Sequence, residues 1–192
     1  MNALITAFEP FGGEAVNPSA MLLERLPGTV GRFSVRKLLL PVAYDPADRL
    51  LRSAFDPSLD LILCLGQAAG REGLTFERVA VNLDDCAAPD NDGTVRLDTP
   101  IDPFAPAAFL TGLPVRAMAD AAAKTGIPAK VSYSAGAYLC NHVYFRASQL
   151  AAQTPGCRAG FVHMCCIPGQ NGSPCLPLED LLAGVAAAIE VL

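Results

Sequence analysis

The stretch Ser134-Ala135-Gly136-Ala137-Tyr138-Leu139-Cys140-Asn141-His142 carries a small-residue turn into a helical pattern. A thiol near a helix start sits in the positive partial charge of the unpaired N–H groups, which lowers its pKa and exposes thiolate. Cys140 is therefore a candidate nucleophile. It needs a base, usually histidine, and the chain contains only two. His142 follows Cys140 by two residues on the same predicted helix, where such positions point about 200° apart and do not face each other. His163 stands near the end of a short apolar run, 159–164. A parallel crossover would set that run beside the strand 129–133. Cys140 and His163 would then share the carboxyl edge of the sheet, where open α/β sheets bind ligands. A third group should orient the imidazole. Glu77 interrupts an apolar, alternating segment, Phe76-Glu77-Arg78-Val79, so it is either outward and solvated or inward and paired. Asp84, Asp85, Asp90 and Asp92 are rivals, each in a loop where a solvated turn is the ordinary reading. The backbone N–H of Cys140 is a ready oxyanion donor. Gly12, Gly13, Gly66 and Gly70 mark places where backbone can approach a ligand. Phe8 and Phe11, flanking Pro10, either cap the core or wall a small ring.

The elements that must hold these residues alternate in type. Strands are expected at 2–7, 33–41, 60–65, 74–83, 129–133 and 159–164, and helices at 19–26, 46–55, 115–125, 139–153 and 177–191. Asn17-Pro18-Ser19 is a start signal for the first helix. Residues 84–106 form a long polar stretch rich in Pro and Asp with little regular pattern, and residues 165–176 a Gly/Pro-rich loop. Short apolar runs alternating with helices imply an α/β fold: a single-domain, three-layer α/β/α sandwich on a mostly parallel, twisted sheet. No repeat and no linker divides residues 1–192.

Apolar residues make up 52% of the 192 and charged residues 17%, which excludes a disordered chain. A net charge of −5 argues against nucleic acid as a partner. No apolar run reaches about 18 residues, so no membrane span is expected. The first residues, Met1-Asn2-Ala3-Leu4-Ile5-Thr6, read as a buried strand and not as a signal peptide. Seven cysteines, at 64, 86, 140, 157, 165, 166 and 175, are an odd number. They are expected as reduced thiols, mostly small buried apolar side chains. Without paired C-x-x-C units, neither a metal nor a cofactor is expected.

Beside these readings, the chain resembles the pyrrolidone-carboxylate peptidase (pyroglutamyl peptidase type I) family of cysteine peptidases. Its segments ITAFEPFGGEAVNPS, LGQAAGREGLTFERVAVNLDD, APDNDG, TGLPVRAM, GIPAKVSYSAGAYLCNHVYF and GFVHMCCIP stand in family order and cover almost the whole chain. The resemblance implies that Cys140 is the nucleophile, His163 the base and Glu77 the acidic third member. It implies a substrate pocket from Phe8, Phe11, Gln67 and Tyr138, the last standing where the family often has Phe, and a supporting place for Asp90. It further implies N-terminally pyroglutamylated peptides as substrates and a cytoplasmic homo-oligomer, often a tetramer. Two departures stand out. Ala87-Ala88 replaces the Arg-Ile often found ahead of Pro-Asp-Asn, which implies a looser loop 84–95 and lower activity. Met164-Cys165-Cys166-Ile167-Pro168-Gly169-Gln170 lacks the family's aromatic after the histidine and the glutamate of its Pro-Glu-Gln. Two other readings follow the same residues: a weak or inactive relative that binds pyroglutamyl or other small lactam ligands, and a thiol-dependent amidase for a different small acyl group.

Overall fold

The computed structural model describes all 192 residues. In chain order the elements are β1 (Asn2–Phe8), α1 (Pro18–Arg25), β2 (Thr29–Val30), β3 (Phe33–Leu40), α2 (Tyr44–Ala54), β4 (Leu61–Gln67), β5 (Leu74–Glu77) and β6 (Val79–Val81). There follow β7 (Asp84–Cys86), β8 (Arg96–Thr99), β9 (Ala108–Leu110), α3 (Val115–Ala123), β10 (Ala129–Ser132), α4 (Leu139–Ala152), β11 (Arg158–Met164) and α5 (Leu178–Glu190).

Seven strands form one sheet in the order β10-β5-β11-β4-β1-β3-β2. Because successive strand residues face opposite sides, the runs in β1, β4 and β11 feed two cores at once. Ile5, Leu63, Leu65, Phe76 and Val162 pack with Leu22 of α1, Met118 of α3 and Val185 of α5. Leu4, Phe8, Ile62, Cys64 and Phe161 pack on the other face with Leu51 of α2 and Val143 of α4. This is the expected three-layer α/β/α sandwich, with a sheet of mixed direction. The pairs β1·β3, β1·β4, β4·β11 and β5·β10 are parallel, whereas β5·β11 and β2·β3 are antiparallel.

Three sequence expectations are corrected here. Residues 74–83 are not one strand. The chain breaks at Arg78, and β6 leaves the main sheet to pair with β9. β5 then inserts between β10 and β11, so the strand carrying His163 does not lie beside the strand before Cys140. Residues 84–106 are not patternless either, since β7 and β8 form an antiparallel pair. The segment is tied to the rest of the molecule at several points. Asp85 N–H donates to Ala137 O at 2.8 Å and Asn91 N–H to Val42 O at 2.8 Å. Asp84 is buried against α4 through His142, its Oδ2 2.8 Å from Nδ1, and Arg96 of β8 donates to the same oxygen at 3.1 Å.

Candidate active site

Helix α4 is buried over most of its circumference, from Leu139 through Ala151. Asn141 pins β6 to its first turn, accepting from Val81 N at 3.0 Å and donating to Val81 O at 2.9 Å. Cys140, one residue earlier in the same turn, has its Sγ over the sheet beside Gly66. The helix N-cap, Tyr138, makes no side-chain cap hydrogen bond, so the first N–H groups of α4 keep their donor capacity beside the thiol.

Strand register brings the other groups to the same place. His163 of β11 pairs with Gly66 of β4 in parallel register and with Thr75 of β5 in antiparallel register. Neighbouring strands present paired residues on one face. A Cβ built on Gly66 would lie 3.1 Å from Cys140 Sγ and 2.7 Å from ring carbon Cζ of Phe161. The thiol thus occupies space that a side chain at position 66 would take, on the sheet face that carries the imidazole. Glu77 lies two residues beyond Thr75 and shares that face. As the diagonal neighbour of His163 it is within reach of a long side chain, and its Oε1 lies 2.8 Å from His163 Nδ1. Glu77 is wholly buried. Of the two readings its sequence context left open, the inward, paired one holds, and Arg78 is not the partner.

The same carboxylate oxygen accepts from Arg71 Nη1, a residue that sequence reasoning passed over. Its signal was present: a single cation in the glycine-flanked turn Gly70-Arg71-Glu72-Gly73, directly before the Glu77 strand.

Burial sets the protonation of the pair. It pushes the Cys140 thiol up to about 12, with Arg71 pulling it down and Glu77 and Cys64 pushing it further up. The lowered thiol pKa expected from the helix start is thus reversed by desolvation. Burial also pulls His163 below the ordinary histidine range, against the raising effect of its hydrogen bond to Glu77. The resting pair is a thiol and a neutral imidazole. With Nδ1–H donated to the Glu77 carboxylate, Nε2 is the nitrogen free to take a proton.

Cys140 and His163 line one cavity of about 280 Å³ with Phe8, Phe11, Gln67 and Tyr138; Asn17, Val42, Ala69, Ala135 and Leu139 complete its wall. All four pocket residues expected from the resemblance are there. The volume lies just below the usual ligand range of about 300–1,000 Å³, so it suits a ring-sized group. No acidic side chain lines it. The Gln67 amide pairs reciprocally with Gln170, at 3.3 Å in each direction, and its Nε2 also donates to Cys166 Sγ at 3.3 Å. Gln170 in turn is fixed by Ile167 N–H at 3.0 Å. The loop lacking the family glutamate therefore holds Gln67 in position, leaving a lone pair on Gln67 Oε1 for a ligand.

Asp90 does not line the cavity. It is buried and accepts from Tyr44 N at 2.9 Å, Asp92 N at 3.0 Å and Thr94 N at 2.8 Å, which fastens the turn after β7 to α2. Its neighbour Pro89 accepts from the Tyr138 hydroxyl at 3.1 Å, so that turn supports one wall of the pocket. His142 belongs to a separate buried cluster with Asp84, as its position on the helix required. All seven cysteines are free thiols, and no group of three or more His, Cys, Asp or Glu side chains is arranged to hold a metal ion.

Comparison with known proteins agrees with this architecture from end to end. The family model described as pyroglutamyl peptidase matches residues 1–192. The chain is 42% identical over 198 residues to a pyrrolidone-carboxylate peptidase of Levilactobacillus brevis, covering 100% of this chain and 97% of that protein. It is 39% identical over 197 residues to the enzyme of the same name from Streptococcus pyogenes, covering 98% and 91%. Among solved structures, pyroglutamyl peptidase I of Bacillus amyloliquefaciens superposes with a TM-score of 0.93 at 37% identity, over 98% of this chain and 95% of that one. Pyrrolidone carboxyl peptidase of Thermococcus litoralis superposes with a TM-score of 0.94 at 35% identity, over 99% and 92%. A whole-chain family match, together with identities near 40% at nearly full coverage, places this chain in the pyroglutamyl peptidase family of cysteine peptidases.

Proposed function

We propose that this chain, residues 1–192 as one catalytic domain, hydrolyses the N-terminal pyroglutamyl residue from peptides, with Cys140, His163 and Glu77 as its triad. The observation that supports the residue roles most is the shared cavity: a thiol and an imidazole opening on one small apolar chamber, with the imidazole anchored by a buried carboxylate at 2.8 Å. Phe8, Phe11 and Tyr138 bury the lactam ring. Gln67 Oε1 is placed to accept the lactam N–H. Pyroglutamate carries no free amine, and a chamber without an acidic lining suits it. A prolyl or glutamyl N-terminus would bring an ammonium group into the chamber unpaired, at a cost of several kcal/mol.

In the reaction, His163 Nε2 takes the proton of Cys140 as Sγ adds to the scissile carbonyl. The imidazolium is stabilised through Nδ1–H by Glu77. The developing oxyanion lies at the start of α4, where the uncapped N–H groups and the helix dipole meet it. His163 then passes its proton to the leaving amine, giving a thioester on Cys140. Water, deprotonated by His163, hydrolyses the thioester and releases pyroglutamate. The reading extends to a cytoplasmic, homo-oligomeric enzyme, a tetramer by resemblance. Seven reduced thiols suit a reducing compartment, and Phe104 and Leu110, exposed at 96% and 75%, are side chains that assembly would cover.

The test is a panel of fluorogenic amides. Release from the pyroglutamyl amide should exceed that from the prolyl and glutamyl amides by at least on the order of 10³ in kcat/KM. Equal release from the prolyl amide contradicts the assignment of the pocket.

A further inference from the structure

Arg71 projects from the turn between β4 and β5 and reaches three elements at once. Nη1 donates to the Glu77 carboxylate and to Thr75 Oγ1 at 2.7 Å, and lies 3.3 Å from Ser132 Oγ at the end of β10. Nη2 donates to the carbonyl of Ser134 at 2.7 Å. Ser134 opens the turn that enters α4 and delivers Cys140. The Arg71 side chain is 26% exposed, whereas that of Glu77 is fully enclosed.

Resting on the proposed triad, we infer that Arg71 is a positioning residue, which holds Glu77 against His163 with one arm of its fork and ties the entry loop of Cys140 to that carboxylate with the other. The need for such a group follows from burial. Glu77 Oε2 is enclosed with no hydrogen-bond partner, so Oε1 carries the whole satisfaction of a charged group out of water. Removing Arg71 leaves His163 as the main polar partner of that charge, which draws a proton onto the imidazole and spoils it as a base. Arg71 also acts on the reacting pair directly, since its charge lowers both Cys140 and His163. Lysine keeps the charge but is a single point. It does not span a carboxylate and a backbone carbonyl in one plane.

The test uses the full chain with Arg71→Met and Arg71→Lys, checked for folding by thermal melting. In R71M, kcat toward a pyroglutamyl amide should fall by roughly 10²-fold with KM nearly unchanged. Its acid limb should move to higher pH by at least about half a unit, because loss of the cation lets His163 hold its proton longer. R71K should keep the wild-type limb and lose about tenfold in kcat. Iodoacetamide labelling, followed at the peptide carrying Cys140 as a function of pH, reads the same electrostatics without any substrate. Its onset should move to higher pH in R71M and stay in place in R71K. This arm stands even if the wild type hydrolyses no pyroglutamyl amide, so the two readings fail separately. A wild-type limb and wild-type labelling profile in folded R71M overturn the inference, as does wild-type kcat in R71K. If R71M does not fold, kcat in R71K decides.

Discussion

Cys140 and His163 are both uncharged at rest, because desolvation pushes the thiol up to about 12 and draws the imidazole below its ordinary range. In the proposed reaction a proton moves as the carbon–sulfur bond forms, so the ionisation that sets kcat/KM there is that of His163. The acid limb should lie below about 6.5, the unperturbed histidine value, and a limb at or above it contradicts a buried, neutral base. Glu77 raises His163, so Glu77→Gln should move the limb to still lower pH. It should also cut kcat by on the order of 10²–10⁴, since the amide neither fixes the tautomer nor stabilises the imidazolium. The residue scale was legible in the sequence where few candidates existed. Two histidines, one of them two positions from the thiol on a helix, left His163. Arg71 was not legible, because its value comes from groups as far off as Ser134, and no local pattern records where a long side chain folds back. Asp90 shows the reverse: its chemistry drew attention, but its oxygens are spent on Tyr44, Asp92 and Thr94.

At the scale of elements, the site is a product of register. Gly66, Thr75 and His163 lie side by side on three strands, and the absent side chain at 66 makes room for Cys140. Gly66→Ala would drive a methyl group into Phe161 and the thiol. It should destabilise the fold by about 1–3 kcal/mol and lower kcat more than it raises KM. Chemical denaturation read beside steady-state kinetics checks both, and an active, equally stable G66A would mean that Cys140 does not depend on this close approach. The buried runs of β1, β4 and β11 were visible as apolar stretches, and α1 through its Asn17-Pro18 start, where Asn17 Oδ1 accepts from Ser19 N at 3.0 Å. The break at Arg78 left a trace that a single-strand reading of 74–83 overrode, since the apolar alternation changes phase there, from Leu74 and Phe76 to Val79, Val81 and Leu83. The insertion of β5 antiparallel to β11 was hidden, because partners far apart in sequence select it. The polar stretch 84–106 hid its order in side chains that act at a distance, with Asp84 and Arg96 clamping it to α4 and α2.

Across the whole molecule, two cores share one sheet, and the cavity opens where the sheet's carboxyl ends meet the start of α4, the edge at which α/β folds commonly bind ligands. Large apolar side chains remain on the outside, Phe104 and Leu110 among them. Light scattering should therefore give a mass of several chains, and a mass of one chain overturns the homo-oligomer. The proposed triad requires Cys140 to carry the pyroglutamyl group during turnover. Acid quenching of the protein during hydrolysis of a pyroglutamyl peptide, followed by peptide mapping with mass spectrometry, reads this directly. A pyroglutamyl thioester should appear on Cys140 and on none of the other six cysteines, with no adduct and no hydrolysis in Cys140→Ala; sustained hydrolysis by Cys140→Ala, or an adduct on another residue, overturns the proposed nucleophile.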